Sequence, residues 1–84
     1  MAHTLTIIQL PDKSVAVTGY RYVLSIDIAD NRKARLATTN DLVSAIRGGL
    51  ADEQWVEVDA ALAKESVWRS EVSAEVAQNL RWTF

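Results

Sequence analysis

The sequence predicts an α+β fold, in which a small three-stranded antiparallel β-meander is followed by two or three helices packed on one face. In the first 38 residues, apolar and polar positions alternate as they do in half-buried strands. A helical stripe with start and stop signals follows at residues 38–49. The later segment is rich in Ala, Glu, Gln and Leu, which favours helix.

The meander is predicted as strands at about residues 4–10, 14–28 and 34–38. The first strand ends at a turn-forming stretch that starts at Pro11. Apolar side chains then occupy odd positions before Gly19 and even positions after it, from Tyr20 and Tyr22 onwards. Because a one-residue change of phase at a glycine is typical of a β-bulge, one long bent strand is expected over residues 14–28. A turn at residues 30–33 leads into the third strand.

The first helix is predicted at about residues 40–48. Thr38 and Asp41 have the spacing of a capping box, with Asp in place of Glu or Gln, and Asn40 is a rival N-cap. Gly48 and Gly49 are expected to end the helix.

The last third of the chain fits two interpretations. Trp55, Val58 and Leu62 match a helical stripe, and apolar residues recur every four positions from Trp68. Residues 56–62 and 68–76 also alternate as a strand would. Composition favours helices at about residues 52–64 and 66–79, with a short terminal strand at 80–84. Residues 1–84 are expected to form a single α+β domain, because a chain of this length builds one core.

Composition and charge narrow the class of protein. The chain has no Cys, so it is not a disulfide scaffold, and its net charge of −2 argues against a general nucleic-acid binder. No apolar run approaches the roughly 20 residues that span a bilayer, and the N-terminal sequence does not resemble a signal peptide. We expect no membrane partner and a cytoplasmic protein, or one incorporated into a virion assembled in the cytoplasm.

Catalysis is not expected. The only histidine, His3, lies near the N-terminus with no evident carboxylate to orient it, and the paired carboxylates fall on polar faces or at the ends of elements. The sequence therefore predicts no enzyme, no cofactor and no metal.

Aromatic and basic residues provide the candidate contacts. Trp82 and Phe84 alternate with Leu80 beside Arg81, and Trp and Arg are enriched where interfaces bind most strongly. This C-terminal segment is expected to add a strand either to its own sheet or to that of a neighbour. Further candidates are the interface residues Tyr20 and Tyr22, and a basic cluster of Arg32, Lys33 and Arg35 for an anionic partner. The alternative for that cluster is a solvated turn that protects an edge strand.

These observations indicate a non-enzymatic assembly or protein–protein interaction module. The apolar fraction of 49% is high for a small domain and favours self-association or incorporation into a larger assembly. An accessory subunit of a large particle, such as a phage head or tail, is the particular form expected. The alternatives are a small inhibitor that blocks one target protein and a weak nucleic-acid adaptor acting through residues 32–35.

Overall fold

The computed structural model describes residues 3–28, 31–46, 50 and 52–83, with the side chains of 28, 45, 46 and 79–83 outside that description. The predicted α+β class is confirmed. The elements in chain order are β1 His3–Gln9, α1 Asp12–Thr18, β2 Tyr22–Ile28, β3 Asn31–Ala37, α2 Thr39–Ile46, α3 Asp52–Lys64, β4 Val67–Val72 and α4 Ala74–Thr83.

The strands form one four-stranded antiparallel sheet in the order β3-β2-β1-β4. The predicted meander of three strands is therefore present as β1, β2 and β3, and β4 is added beside β1. In the centre of the sheet Ile7 lies opposite Leu24 of β2 and opposite Trp68 of β4. Both β3 and β4 are edge strands.

The hydrophobic core lies between one face of the sheet and the helices α2, α3 and α4. Alternate residues of β1 and β2 are completely buried, because a strand presents every second side chain to the same face. The buried core residues are Leu5, Ile7, Leu24, Ile26, Ala37, Leu42, Leu50, Val58, Leu62, Trp68, Val76 and Ala77.

The long bent strand predicted at residues 14–28 is wrong, because its first part is the helix α1. The backbone carbonyl of Pro11, expected to begin a turn, accepts hydrogen bonds from the amides of Ser14 (3.0 Å) and Val15 (3.2 Å). Gly19 ends the helix in the left-handed conformation (φ 78°), with its amide bonded to the carbonyl of Val15 at 2.8 Å. The change of phase at Gly19 therefore marks a helix C-cap rather than a β-bulge.

The helix predicted at residues 66–79 is wrong over residues 67–72 and correct over 74–79, and the terminal strand predicted at 80–84 is wrong over 80–83. Residues 67–72 form β4, since the alternating side chains of Trp68 and Val72 fit the core face beside β1. A helix begins only after Ser73, whose hydroxyl caps it by accepting the Val76 amide at 3.3 Å. Residues 80–83 continue this helix, and Phe84 lies outside the described residues.

The two middle helices follow the sequence signals closely. The bounds predicted for α3 are those observed. The capping box before α2 is present: the Thr38 hydroxyl accepts the Asp41 amide (3.1 Å), and the Asp41 carboxylate accepts the Thr38 amide (3.0 Å). Thr38 is thus the N-cap and Asn40 is not, while Gly48 and Gly49 lie outside the described residues. β3 begins at Asn31, three positions before the predicted strand.

Candidate interaction surface

One face of the sheet takes no part in the core. The core cluster contains side chains from a single sheet face and from the helix layer, and none of the seven residues of α1 is buried. We call the opposite side the open face; its side chains come from Thr4, Thr6, Ile8, Val23, Ser25, Asp27, Arg32, Ala34, Leu36, Val67, Arg69 and Glu71.

An apolar row crosses the open face from edge to edge. Ile8 lies opposite Val23 on one side and Val67 on the other, and Val23 lies opposite Leu36. With neighbouring strands about 4.8 Å apart, these four residues form a continuous row about 14 Å long. Ile8 is 40% exposed and Leu36 is 45% exposed. Sequence reasoning missed this row, although Ile8 and Val23 were visible as apolar residues at positions out of phase with the core.

The next rows along the open face become polar and then charged. Thr6 and Ser25 are small and buried at the centre of the sheet, and the Nε of Arg69 donates a hydrogen bond to the Thr6 hydroxyl at 3.3 Å. In the last row, the Nε of Arg32 is 2.9 Å from the carboxylate of Asp27. This hydrogen bond raises the pKa of the Arg32 guanidinium above its ordinary value. The face therefore changes from apolar to charged over two rows.

The two edge strands present backbone groups outwards at alternate residues. The Gln9 amide bonds to the Ser66 carbonyl (2.8 Å) and the Leu10 amide to the Arg21 carbonyl (2.7 Å), which fixes the phase of hydrogen bonding in the sheet. By this alternation, Val67, Arg69 and Glu71 direct their amide and carbonyl groups away from β1. Within the described part of the chain, no backbone–backbone hydrogen bond is made on the outer side of β4.

The basic cluster predicted from sequence does not form one surface. Arg32 belongs to the open face and is paired with Asp27, whereas Lys33 lies on the opposite face of the same strand. Arg35 also faces the helix side, where its guanidinium is 3.5 Å from the carboxylate of Asp41. The strand separates the three cations between its two faces, so a concerted contact with an anionic partner is not favoured by this geometry.

The aromatic candidates divide into three groups. Tyr22 is partly buried and packs against the core. Tyr20 is 39% exposed in the connection from α1 to β2, at the end of the sheet nearest the apolar row. The side chains of Leu80, Arg81 and Trp82, together with all of Phe84, lie outside the described residues.

Two shallow clefts flank the sheet. One, of about 460 Å³, lies between the end of β1 and the end of α3; its ionisable side chain is Asp12, which is 96% exposed and 3.9 Å from Arg21. The other, of about 380 Å³, lies between α3 and β4 and is bordered by Trp68. Neither encloses a buried pair of acid–base groups of the kind that catalysis uses.

The surroundings of His3 and the grouping of acidic side chains can be described for the same part of the chain. Nδ1 of His3 is buried and makes no hydrogen bond within the described ranges, so no described carboxylate orients it. No group of three or more His, Asp or Glu side chains is gathered for a metal ion in residues 3–28, 31–46, 50 and 52–83. In the same ranges, every helix is too short or too polar to cross a membrane.

Comparison of the chain with protein families, with curated proteins and with solved structures found no match.

Proposed function

We propose that this protein is a non-enzymatic protein–protein interaction module that binds its partner on the open face of the sheet. The observation that supports this most strongly is the apolar row of Leu36, Val23, Ile8 and Val67. Single exposed apolar residues are ordinary on protein surfaces, but a contiguous row is typical of a contact site.

The charged end of the open face can fix the orientation of a bound partner, which the apolar row alone cannot do. Arg32 and Asp27 form a pair there, and Glu71 lies in the same row across the sheet. Charged groups at the rim of an interface contribute mainly to association rate and specificity, while the apolar centre contributes affinity. The partner expected is a protein surface with an apolar ridge that is polar or charged at one end.

A photo-crosslinking experiment in the producing cells tests the proposal. A photo-reactive amino acid is placed at Leu36 on the open face, and in a separate variant at Val56, which is 69% exposed on α3. We expect a discrete crosslinked adduct from position 36 and none from position 56. Equal adducts from both positions, or none from position 36, would overturn the assignment of the open face.

A matched pair of variants tests the apolar row itself. Ile8→Thr combined with Val67→Thr, made in the chain that carries the photo-reactive amino acid at position 36, keeps β-branched, strand-compatible side chains but removes apolar surface. The variant is expected to remain folded by circular dichroism and to lose the adduct, whereas Val56→Thr, which changes exposed apolar surface elsewhere, retains it. Retention of the adduct by the folded Ile8→Thr and Val67→Thr double variant would show that the row is not the contact.

The identity of the crosslinked partner distinguishes between the alternative functions that the sequence predicts. A second copy of the chain or a particle subunit in the adduct favours an assembly role, including the accessory subunit of a phage head or tail. A single unrelated enzyme favours the inhibitor. A nucleic-acid adaptor instead requires binding that weakens steeply with salt and is lost when Arg32, Lys33 and Arg35 are replaced by Ala.

A further inference from the structure

We infer that the protein forms a two-fold symmetric homodimer in which β4 pairs with β4 of a second copy, joining two sheets into one of eight strands. The axis passes beside Ser70, which faces Ser70 of the second copy. The inference concerns the edge of the sheet and does not rest on the function proposed for its open face.

The backbone of β4 is prepared for this pairing. Val67, Arg69 and Glu71 direct their amide and carbonyl groups outwards, and in an antiparallel pair such residues must lie opposite one another. Adding a strand to an exposed sheet edge satisfies these groups with another backbone and is a common mode of protein association.

Charge selects the register. Only two registers keep this hydrogen-bonding phase and pair five residues of the six-residue strand with their counterparts. One places Arg69 opposite Arg69, which is repulsive. The other places Arg69 opposite Glu71 twice, once on each side of the axis, and Ser70 opposite Ser70. Opposite charges directly across two strands stabilise the pair and like charges destabilise it.

The side chains involved are available for these contacts. Arg69 and Glu71 are both exposed, and within the described part of the chain the Glu71 carboxylate makes no hydrogen bond or ion pair. In the same register Trp68 lies opposite Val72 of the second copy. Trp68 borders the cleft of about 380 Å³ beside β4, so an apolar side chain from the second copy has space to enter there.

The other edge strand is unsuited to the same pairing. β3 contains three cations, and every register that keeps its hydrogen-bonding phase and pairs five or more of its seven residues places a cation opposite a cation on the helix side. In the fullest overlap this pair is Lys33 with Arg35. Charged edges of this kind prevent unwanted strand pairing. A dimer through β4 consequently closes, with β3 protected at both ends of the joined sheet.

Charge-reversal variants test the dimer and its register. Sedimentation or light scattering across a hundredfold dilution is expected to show a wild-type dimer that dissociates on dilution. Arg69→Glu and Glu71→Arg each replace two attractive pairs by two repulsive ones, and each is expected to raise the dissociation constant at least about tenfold. Lys33→Glu on β3 is the matched control and is expected to leave the dimer unchanged.

Two further combinations exclude misfolding as the reason for dissociation. Mixing Arg69→Glu with Glu71→Arg restores both ion pairs and is expected to give a heterodimer, and the double variant is expected to dimerise with itself. Hydrogen exchange should show concentration-dependent protection of the Arg69 and Glu71 amides. A monomeric wild type, a dimer insensitive to Glu71→Arg, or a mixture that remains monomeric would each overturn the inference.

Discussion

Ile7 and Ile8 provide a direct test of how the sheet is placed. They are the same residue type, adjacent in the central strand, and their side chains point to opposite faces. Ile7 is completely buried between the sheet and the helices, whereas Ile8 is 40% exposed on the open face. Truncating each to Ala therefore compares two environments while the change in strand propensity is similar.

The expected difference follows from burial. Removing three buried carbons from Ile7 forfeits about 2.4 kcal/mol of transfer free energy, and the cavity left behind raises the loss to about 3–4 kcal/mol. At Ile8 only about 60% of the side chain is shielded and water can fill the space, so the loss is about 1.4 kcal/mol. Ile7→Ala should be less stable than Ile8→Ala by about 2 kcal/mol.

Equilibrium unfolding in urea, followed by tryptophan fluorescence at low protein concentration, measures both free energies. If Ile7→Ala leaves too little folded protein, Ile7→Val and Ile8→Val give a smaller comparison of the same sign. Equal losses, or a greater loss at Ile8, would refute the facing of β1, because a one-residue slip moves every side chain to the other face.

Three further predictions concern caps and backbone conformation. Thr38→Ala should lower the free energy of unfolding, measured in urea, by about 1 kcal/mol, because it removes the hydroxyl that accepts a hydrogen bond from the Asp41 amide. The Thr38 amide, followed by its hydroxyl and Arg35, lowers the pKa of Asp41 against the opposing effect of desolvation. The resulting stabilisation is present above the unfolded carboxyl pKa of about 3.9 and is lost as the pH falls through the lower pKa of the folded state. The urea midpoint of Asp41→Asn should therefore decline less between pH 5 and pH 2 than that of the wild-type protein. Gly19 and Ser66 have positive φ angles of 78° and 61°, which glycine adopts more easily than residues with a Cβ. In thermal unfolding, Gly19→Ala should therefore destabilise the protein by about 1 kcal/mol, and Ser66→Gly should stabilise it by up to about 1 kcal/mol. A destabilised Ser66→Gly protein would contradict this argument.

The elements with a strong local signal could be predicted from sequence. The capping box of Thr38 and Asp41 predicts the start of α2, and the helical stripe with its acidic start predicts α3. In both cases the side chains that determine the structure lie within a few residues of one another, so a local pattern is sufficient.

The two wrongly predicted elements, α1 and β4, were mistaken for different physical reasons. In α1 the short run around Val15 resembles a strand, and the decisive cues are the Pro11 before it and the Gly19 after it. In β4 the helical composition was overridden by β1, whose second edge supplies hydrogen-bond partners for residues 67–72. Such a distant partner cannot be read from local propensity.

The candidate site was less predictable than the fold. The apolar row joins Ile8, Val23, Leu36 and Val67, which come from four strands and adjoin only when the register is known. Conversely, Arg32, Lys33 and Arg35 are neighbours in sequence that the strand separates in space. A surface formed across a sheet depends on strand order, and the order here places the last strand beside the first.

That strand order also has a consequence for how the chain acquires its structure. Leu5 and Ser70 are paired neighbours although 65 positions separate them, whereas β2 and β3 are joined by a short connection. Closing such a long loop is entropically costly and is expected to make folding slow for a chain of this size. During synthesis, one edge of β1 remains unpaired until residues 67–72 have emerged from the ribosome. In that interval β4 of a neighbouring chain can take the vacant place, which makes exchange of the C-terminal segment between copies the characteristic misfolding route for this topology.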